Sequence, residues 1–221
     1  MVFKIDKLND KGIEKFFTNS FDDLEKFFGF KWIVDRPSLF VVKDLGVKKA
    51  MKGSDVPTWV NGWVGPGAVY VLSPELIVKE LKISKINDKK YKALIKHELV
   101  HKFYNSRTKR SKPTWLTEGL AVYLSGQLEW REVPKKFEMF LNFYDWSKMS
   151  WNEKKDCKGL YPESGFVVKM LVERFGKEKL LKLLNKIKDK DLSEKEFKDK
   201  FKKNYGFDLN YEEINKYWGN S

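Results

Sequence analysis

His97-Glu98-Leu99-Val100-His101 holds both histidines of the 221-residue chain. Side chains four apart on an α-helix lie on one face, one turn from each other, so His97 and His101 can offer two imidazoles to a single metal ion. Glu98 then sits beside that ion. The plain alternative is an amphipathic helix whose histidines only fill a core. A catalytic zinc takes three protein ligands and keeps a fourth position for water, so a further donor is needed. With no third histidine it has to be Asp, Glu or the single cysteine, Cys157. Glu118 is the strongest candidate, seventeen residues after His101 on the next expected helix.

The surrounding sequence supports a helix that presents these groups. Asn87 or Asp88 can cap its start, and Tyr91, Leu94 and Ile95 precede His97 on the apolar side. Upstream, Ile13, Phe16, Phe17, Leu24, Phe27 and Phe28 recur at helical spacing over residues 11–28, with Gly29 as a stop, although Ser20 could cap a second helix and split the segment. Leu39-Phe40-Val41-Val42 and Ala68-Val69-Tyr70-Val71-Leu72 read as strands. A short helix is expected between them, over about 45–51. The run Thr58 to Gly67, dense in glycine and aromatics, suggests a tight hairpin or a close backbone approach. Ser73-Pro74-Glu75 announces a helix to about Leu81.

Downstream, Asn105 to Pro113 has the composition of an exposed basic loop, and Thr114 can cap a helix running to about Ser125. Gly119 inside that helix points to close contact with another helix, since glycine there costs about 1 kcal/mol relative to alanine. Residues 127–161 are rich in aromatics, among them Trp130, Phe137, Phe140, Tyr144, Trp146 and Trp151, which suit a core and could in part line a pocket. Helices follow beyond Tyr161: one to Gly176, one around Leu180 to Leu184, one opened by a Ser193 and Glu196 capping box and ending near Gly206, and one over 211–218. There is no internal repeat and no flexible linker.

Composition limits the function classes. Hydrophobic residues at 42% and aromatics at 15% supply a core despite 34% charged residues. The formal charge of +13 raises an acidic partner, nucleic acid or an anionic membrane surface, yet only Arg36, Arg107, Arg110, Arg131 and Arg174 are arginine, the residue suited to bidentate phosphate recognition. A solvated lysine-rich surface is the simpler reading. One cysteine excludes an internal disulfide and a multi-cysteine metal site, and fits a reducing compartment. The charged amino end shows no secretory signal and no stretch reaches membrane-spanning length, so the expected setting is cytoplasmic, without a membrane partner.

HELVH followed by Trp115-Leu116-Thr117-Glu118-Gly119-Leu120-Ala121-Val122-Tyr123 resembles the gluzincin zinc metallopeptidases, nearest the peptidase-MA-like group related to the M1 aminopeptidase catalytic domains and the thermolysin-like enzymes. The family pattern is HExxH, then Trp-Leu-x-Glu-Gly-x-Ala, whose glutamate is the third zinc ligand. The resemblance implies one catalytic Zn2+ held by His97, His101 and Glu118, with Glu98 as general base for hydrolysis of peptide bonds by a metal-activated water. Tyr161-Pro162-Glu163-Ser164-Gly165-Phe166 is similar to the segment where such enzymes carry an oxyanion-stabilising tyrosine, which implies that role for Tyr161. The weaker likeness over Gly67 to Leu72 is to the strand whose edge binds extended substrate, implying Gly67, Ala68, Val69 and Tyr70 as substrate-binding.

What the resemblance implies for the fold is an α+β zincin-like catalytic domain over 1–221: an upper lobe, 1–105, with a small mixed sheet and the zinc helix, and a mostly helical lower lobe, 106–221. Two departures stand out. The interval between His101 and Glu118 is shorter than in many relatives and carries the basic 107–112 loop, which could favour acidic substrate residues. The Gly-Ala-Met-Glu-Asn strand that recognises a free amino terminus in M1 enzymes is absent, so aminopeptidase specificity is not implied. The expected partner is a peptide or protein substrate. The competing expectation is a catalytically weak or inactive protein on the same scaffold that binds nucleic acid or an acidic partner through its lysines.

Overall fold

The three strands of the chain form one sheet of order β1-β3-β2 among the described residues, built from Ser38–Val42, Gly62–Gly65 and Ala68–Leu72 as β1, β2 and β3. A computed structural model describes residues 8–109, 112–150, 153, 154, 157, 159–188 and 190–219. These divide into two compact units, residues 1–102 and 103–221. The fold is helix-rich with a small mixed sheet, which agrees with the α+β class.

In the first unit, α1 (Lys11–Phe28) starts where Asp10 accepts the Ile13 N–H at 3.0 Å and stops at Gly29, whose φ of 69° suits a residue without a side chain. The expected option of a break at Ser20 is corrected: the helix is continuous and Ser20 is buried within it. Beyond it, the Glu25 carboxylate gathers the following loop by accepting from Lys31 Nζ and the Trp32 N–H, both at 2.8 Å.

β1 pairs in parallel with β3, and β2 pairs antiparallel with β3 through the two-residue turn Pro66-Gly67. Gly67 sits at φ 59°, a left-handed conformation open to glycine at little cost. Trp63 stacks on Tyr70 at 5.5 Å across the hairpin, and Trp63, Val71 and Leu72 join Ile77, Tyr91 and Ile95 in one apolar cluster. α2 (Leu45–Lys52) and α3 (Pro74–Leu81) are linked by Lys48, nearly wholly buried, whose Nζ donates to Glu80 at 2.8 Å and to the Pro57 carbonyl at 2.9 Å. α3 opens on Ser73 and Pro74 as expected.

α4 (Asp88–Thr108) carries HELVH, and the Asn87 side chain accepts the Lys90 N–H at 2.8 Å at its start. The helix runs further than expected, which corrects the exposed loop proposed from Asn105. Residues 105–108 are helical, Thr108 is wholly buried with Oγ1 donating to the Tyr104 carbonyl, and Arg107 is half-buried. Lys112 is paired with Asp145 at 2.9 Å and Asp191 at 3.1 Å rather than displayed as a bare charge. Arg110 and Ser111 lie outside the described residues.

In the second unit, α5 (Thr114–Leu124) packs on α6 (Leu160–Phe175) through reciprocal glycines. A Cβ on Gly119 would strike the Ser164 carbonyl, and one on Gly165 would stand 2.6 Å from Val122 Cγ1. The close contact expected at Gly119 is therefore real. Thr114 does not cap α5. It is the first helical residue, and its Oγ1 instead accepts the Trp146 N–H at 2.9 Å.

Residues 127–148 contain three short 3₁₀ turns, with Phe137 and Phe140 wholly buried as core aromatics. Trp151 lies outside the described residues. α7 (Lys177–Ile187), α8 (Glu194–Tyr205) and α9 (Tyr211–Gly219) complete the unit, and the Ser193 and Glu196 capping box is formed in full. Among the described residues no helix is long and apolar enough to cross a membrane.

Candidate metal centre

α4 places its histidines by burying the residues around them. Ile95, Leu99 and Val100 are wholly buried, and His97 and Glu98 are each 7% exposed. His101, one turn beyond His97, brings Nε2 to 3.1 Å from His97 Nε2, with the two rings edge to face at 4.8 Å between centroids. Two imidazole nitrogens aimed at one point suit a shared cation, because metal binding uses both nitrogens as lone-pair donors.

Glu118, in the second turn of α5, completes a group. His97, His101 and Glu118 each offer one ligand atom, and these atoms lie within 4.8 Å of one another. It is the group of at least three His, Cys, Asp or Glu side chains among the described residues that could hold a metal ion. Cys157, the other donor type left open by the sequence, is buried and its Sγ donates to the Glu153 carbonyl at 3.2 Å.

Glu98 faces β2. A Cβ built on Gly62 would stand 2.7 Å from both Cγ and Oε1 of Glu98, so strand and carboxylate touch. One helical turn on, Lys102 Nζ donates to the Gly65 carbonyl at 2.8 Å, and burial pulls its pKa below the ordinary lysine value. α4 thus grips both ends of β2. Neither Gly62 nor Lys102 was singled out by the sequence, although the run of glycines did signal a close backbone approach.

Gly67 to Tyr70 need a correction as a substrate-pairing edge. β3 is the central strand, hydrogen-bonded to β1 on one side and β2 on the other, so its backbone has no open edge. The hairpin register directs the free N–H and C=O groups of Gly62 and Val64 outward from β2 instead.

Tyr161 is the second residue of α6, half-buried, with its ring edge-on to Trp146 at 5.7 Å and the Arg131 guanidinium within electrostatic reach of its phenol. A residue the sequence missed holds the neighbouring chain. The buried Glu163 carboxylate accepts the N–H groups of Met139 at 2.8 Å and Phe140 at 3.0 Å, fixing an otherwise irregular stretch against α6. No periodicity could have signalled that pairing, because the donors are main-chain groups.

The family described as the peptidase MA superfamily matches residues 50–221, a span that includes α4, α5 and α6. No curated protein and no solved structure matches the chain.

Proposed function

The chain belongs to the peptidase MA superfamily, and from that premise we propose that it is a zinc-dependent peptidase using His97, His101 and Glu118 as metal ligands and Glu98 as general base. The observation that carries this reading is the convergence of the three donor atoms within 4.8 Å. Two imidazole nitrogens and one carboxylate oxygen are a donor set of catalytic zinc, which leaves a position open for water. Zinc held by these three residues would supply a water acidified to a pKa of about 7 and a Lewis acid for the scissile carbonyl.

The chain's own groups do the rest. Glu98, buried beside the ligands, accepts the proton of the attacking water and passes it to the leaving amine. Tyr161 donates its phenolic hydrogen bond to the carbonyl oxygen as negative charge grows there. The substrate backbone pairs with the outward groups of β2, those of Val64 and of Gly62, the latter against Glu98. Main-chain pairing of this kind holds many sequences, so a peptide or protein substrate is expected without narrow side-chain preference. Part of the same reading is that residues 1–221 act as one catalytic domain in a reducing, cytoplasmic setting, which suits the single buried cysteine.

Metal analysis and cleavage of casein or a mixed peptide library test the proposal, with Glu98→Gln as control. The expected result is one zinc per chain, cleavage by the wild type, and zinc without cleavage in the variant. Stoichiometric zinc with no wild-type cleavage, or cleavage that survives Glu98→Gln, overturns it. The formal charge of +13 supports a second reading, a binder of nucleic acid or an acidic protein. Salt-dependent DNA or RNA binding by a zinc-loaded, inactive chain would favour that reading.

A further inference from the structure

Gly62 has no conformational reason to be glycine. It is the first residue of β2 and is not among the glycines with positive φ, unlike Gly67 at φ 59°, so a residue with a side chain could adopt its backbone. Glycine within a strand also weakens it, by entropy and by the packing it forgoes. What does require glycine is Glu98. The three atoms nearest to a Cβ at position 62 all belong to that side chain: Cγ and Oε1 at 2.7 Å and Cδ at 2.9 Å.

The neighbourhood leaves one way to relieve such a clash. α4 cannot draw back, because Ile95, Leu99 and Val100 around Glu98 are wholly buried. β2 is tied to β3 along its length and to Lys102 at Gly65. Because Cγ itself is struck, turning the carboxylate end is insufficient and the whole Glu98 side chain has to leave its rotamer.

We infer that Gly62 is a positioning residue for the general base: its bare Cα is the surface against which the Glu98 carboxylate is seated, in the same residue whose outward backbone groups pair with substrate. This rests on the peptidase reading and deepens it. The strand that aligns the peptide and the group that moves the proton are held in register by one van der Waals contact. A side chain at 62 displaces the base while leaving the backbone groups of β2 and the nitrogens of His97 and His101 where they are.

The test is Gly62→Ala in the zinc-loaded full chain, assayed on a peptide that the wild type cleaves. A displacement of about 1 Å in a reacting group can lower a rate about 100-fold. The expected result is a fall in kcat of that order, with KM, zinc content and melting temperature at their wild-type levels. An unchanged kcat overturns the inference, as does a loss confined to KM or accompanied by loss of zinc. A wild type that binds zinc and cleaves nothing overturns the peptidase reading and this assignment with it, whereas an active wild type with an equally active variant overturns this assignment alone. If Gly62→Ala fails to fold, Gly62→Ala with Glu98→Ala has to recover the fold, since every atom struck is on the Glu98 side chain; a double variant as unstable as the single one overturns the contact itself.

Discussion

Gly119 of α5 and Ser164 of α6 are in direct backbone contact: a methyl group at 119 would overlap the Ser164 carbonyl, its carbon only 2.8 Å away. The two helices that carry Glu118 and Tyr161 are spaced by that contact. Gly119→Ala should raise helix propensity by about 1 kcal/mol, yet overpacking costs about 1–3 kcal/mol. Because the struck atoms are backbone, the cost should win. Thermal or urea unfolding should show a net loss, and zinc affinity should fall with it because Glu118 is the adjacent residue. An alanine variant as stable as the wild type would show that α5 and α6 can separate freely.

Zinc should stabilise the fold as well as the chemistry. A ligand present at 100 times its dissociation constant contributes about 2.7 kcal/mol to the native state. Melting temperature is therefore expected to rise with zinc and drop on treatment with a chelator. Glu118→Ala should weaken zinc by more than the roughly 10–100-fold typical of losing a supporting hydrogen bond to a ligand. Glu98→Gln, in contrast, should keep the metal. Competition with a chromophoric chelator reads both variants.

Lys48 and Glu80 form a buried ion pair at 2.8 Å, with side chains 2% and 16% exposed. Glu80→Ala strands the ammonium on the Pro57 carbonyl alone, and breaking a buried pair from one side costs about 3–5 kcal/mol. Lys48→Met combined with Glu80→Leu removes both charges and should come back close to wild-type stability. Urea unfolding of the single and double variants measures the difference.

Glu25 supplies a pH dependence. Hydrogen bonds from Lys31 and from the Trp32 backbone hold its carboxyl below the ordinary value of 4.5, with the Lys31 and Arg36 charges adding to them. A carboxyl with a lowered folded pKa stabilises the native state fully above its unfolded pKa and loses that contribution as pH falls through the folded one. Glu25→Gln should therefore be less stable than the wild type at neutral pH. The two unfolding curves should converge as the pH drops below 4.5. Tryptophan fluorescence across an acid titration checks this, and a gap that persists in strong acid would refute the linkage.

The elements legible in the sequence are those whose signals are local. Asn87 starts α4, Ser193 and Glu196 box the start of α8, and His97 and His101 share a face because they are four residues apart on a helix. Each depends on neighbours within a turn or so, where helix geometry alone sets the distance. Gly119 was legible for a different reason, since glycine inside a helix has a cost that asks for a contact.

Other features depend on partners far along the chain. Thr114 has a capping residue's chemistry, but Trp146 takes its hydroxyl; Lys112 belongs to an apparently basic loop, but Asp145 and Asp191 neutralise it. β3 reads as a good strand, yet only strand order reveals that both its edges are filled and that β2, like β1, lies at an edge of the sheet among the described residues. The donor types were readable in the sequence alone, because two histidines at helical spacing and a carboxylate on the next expected helix are groups that could hold a metal ion once the fold brings them together. The tertiary structure decided which strand lies beside Glu98 and why residue 62 there has no side chain, since that contact joins residues 36 positions apart and steric exclusion acts only between atoms that folding has brought together.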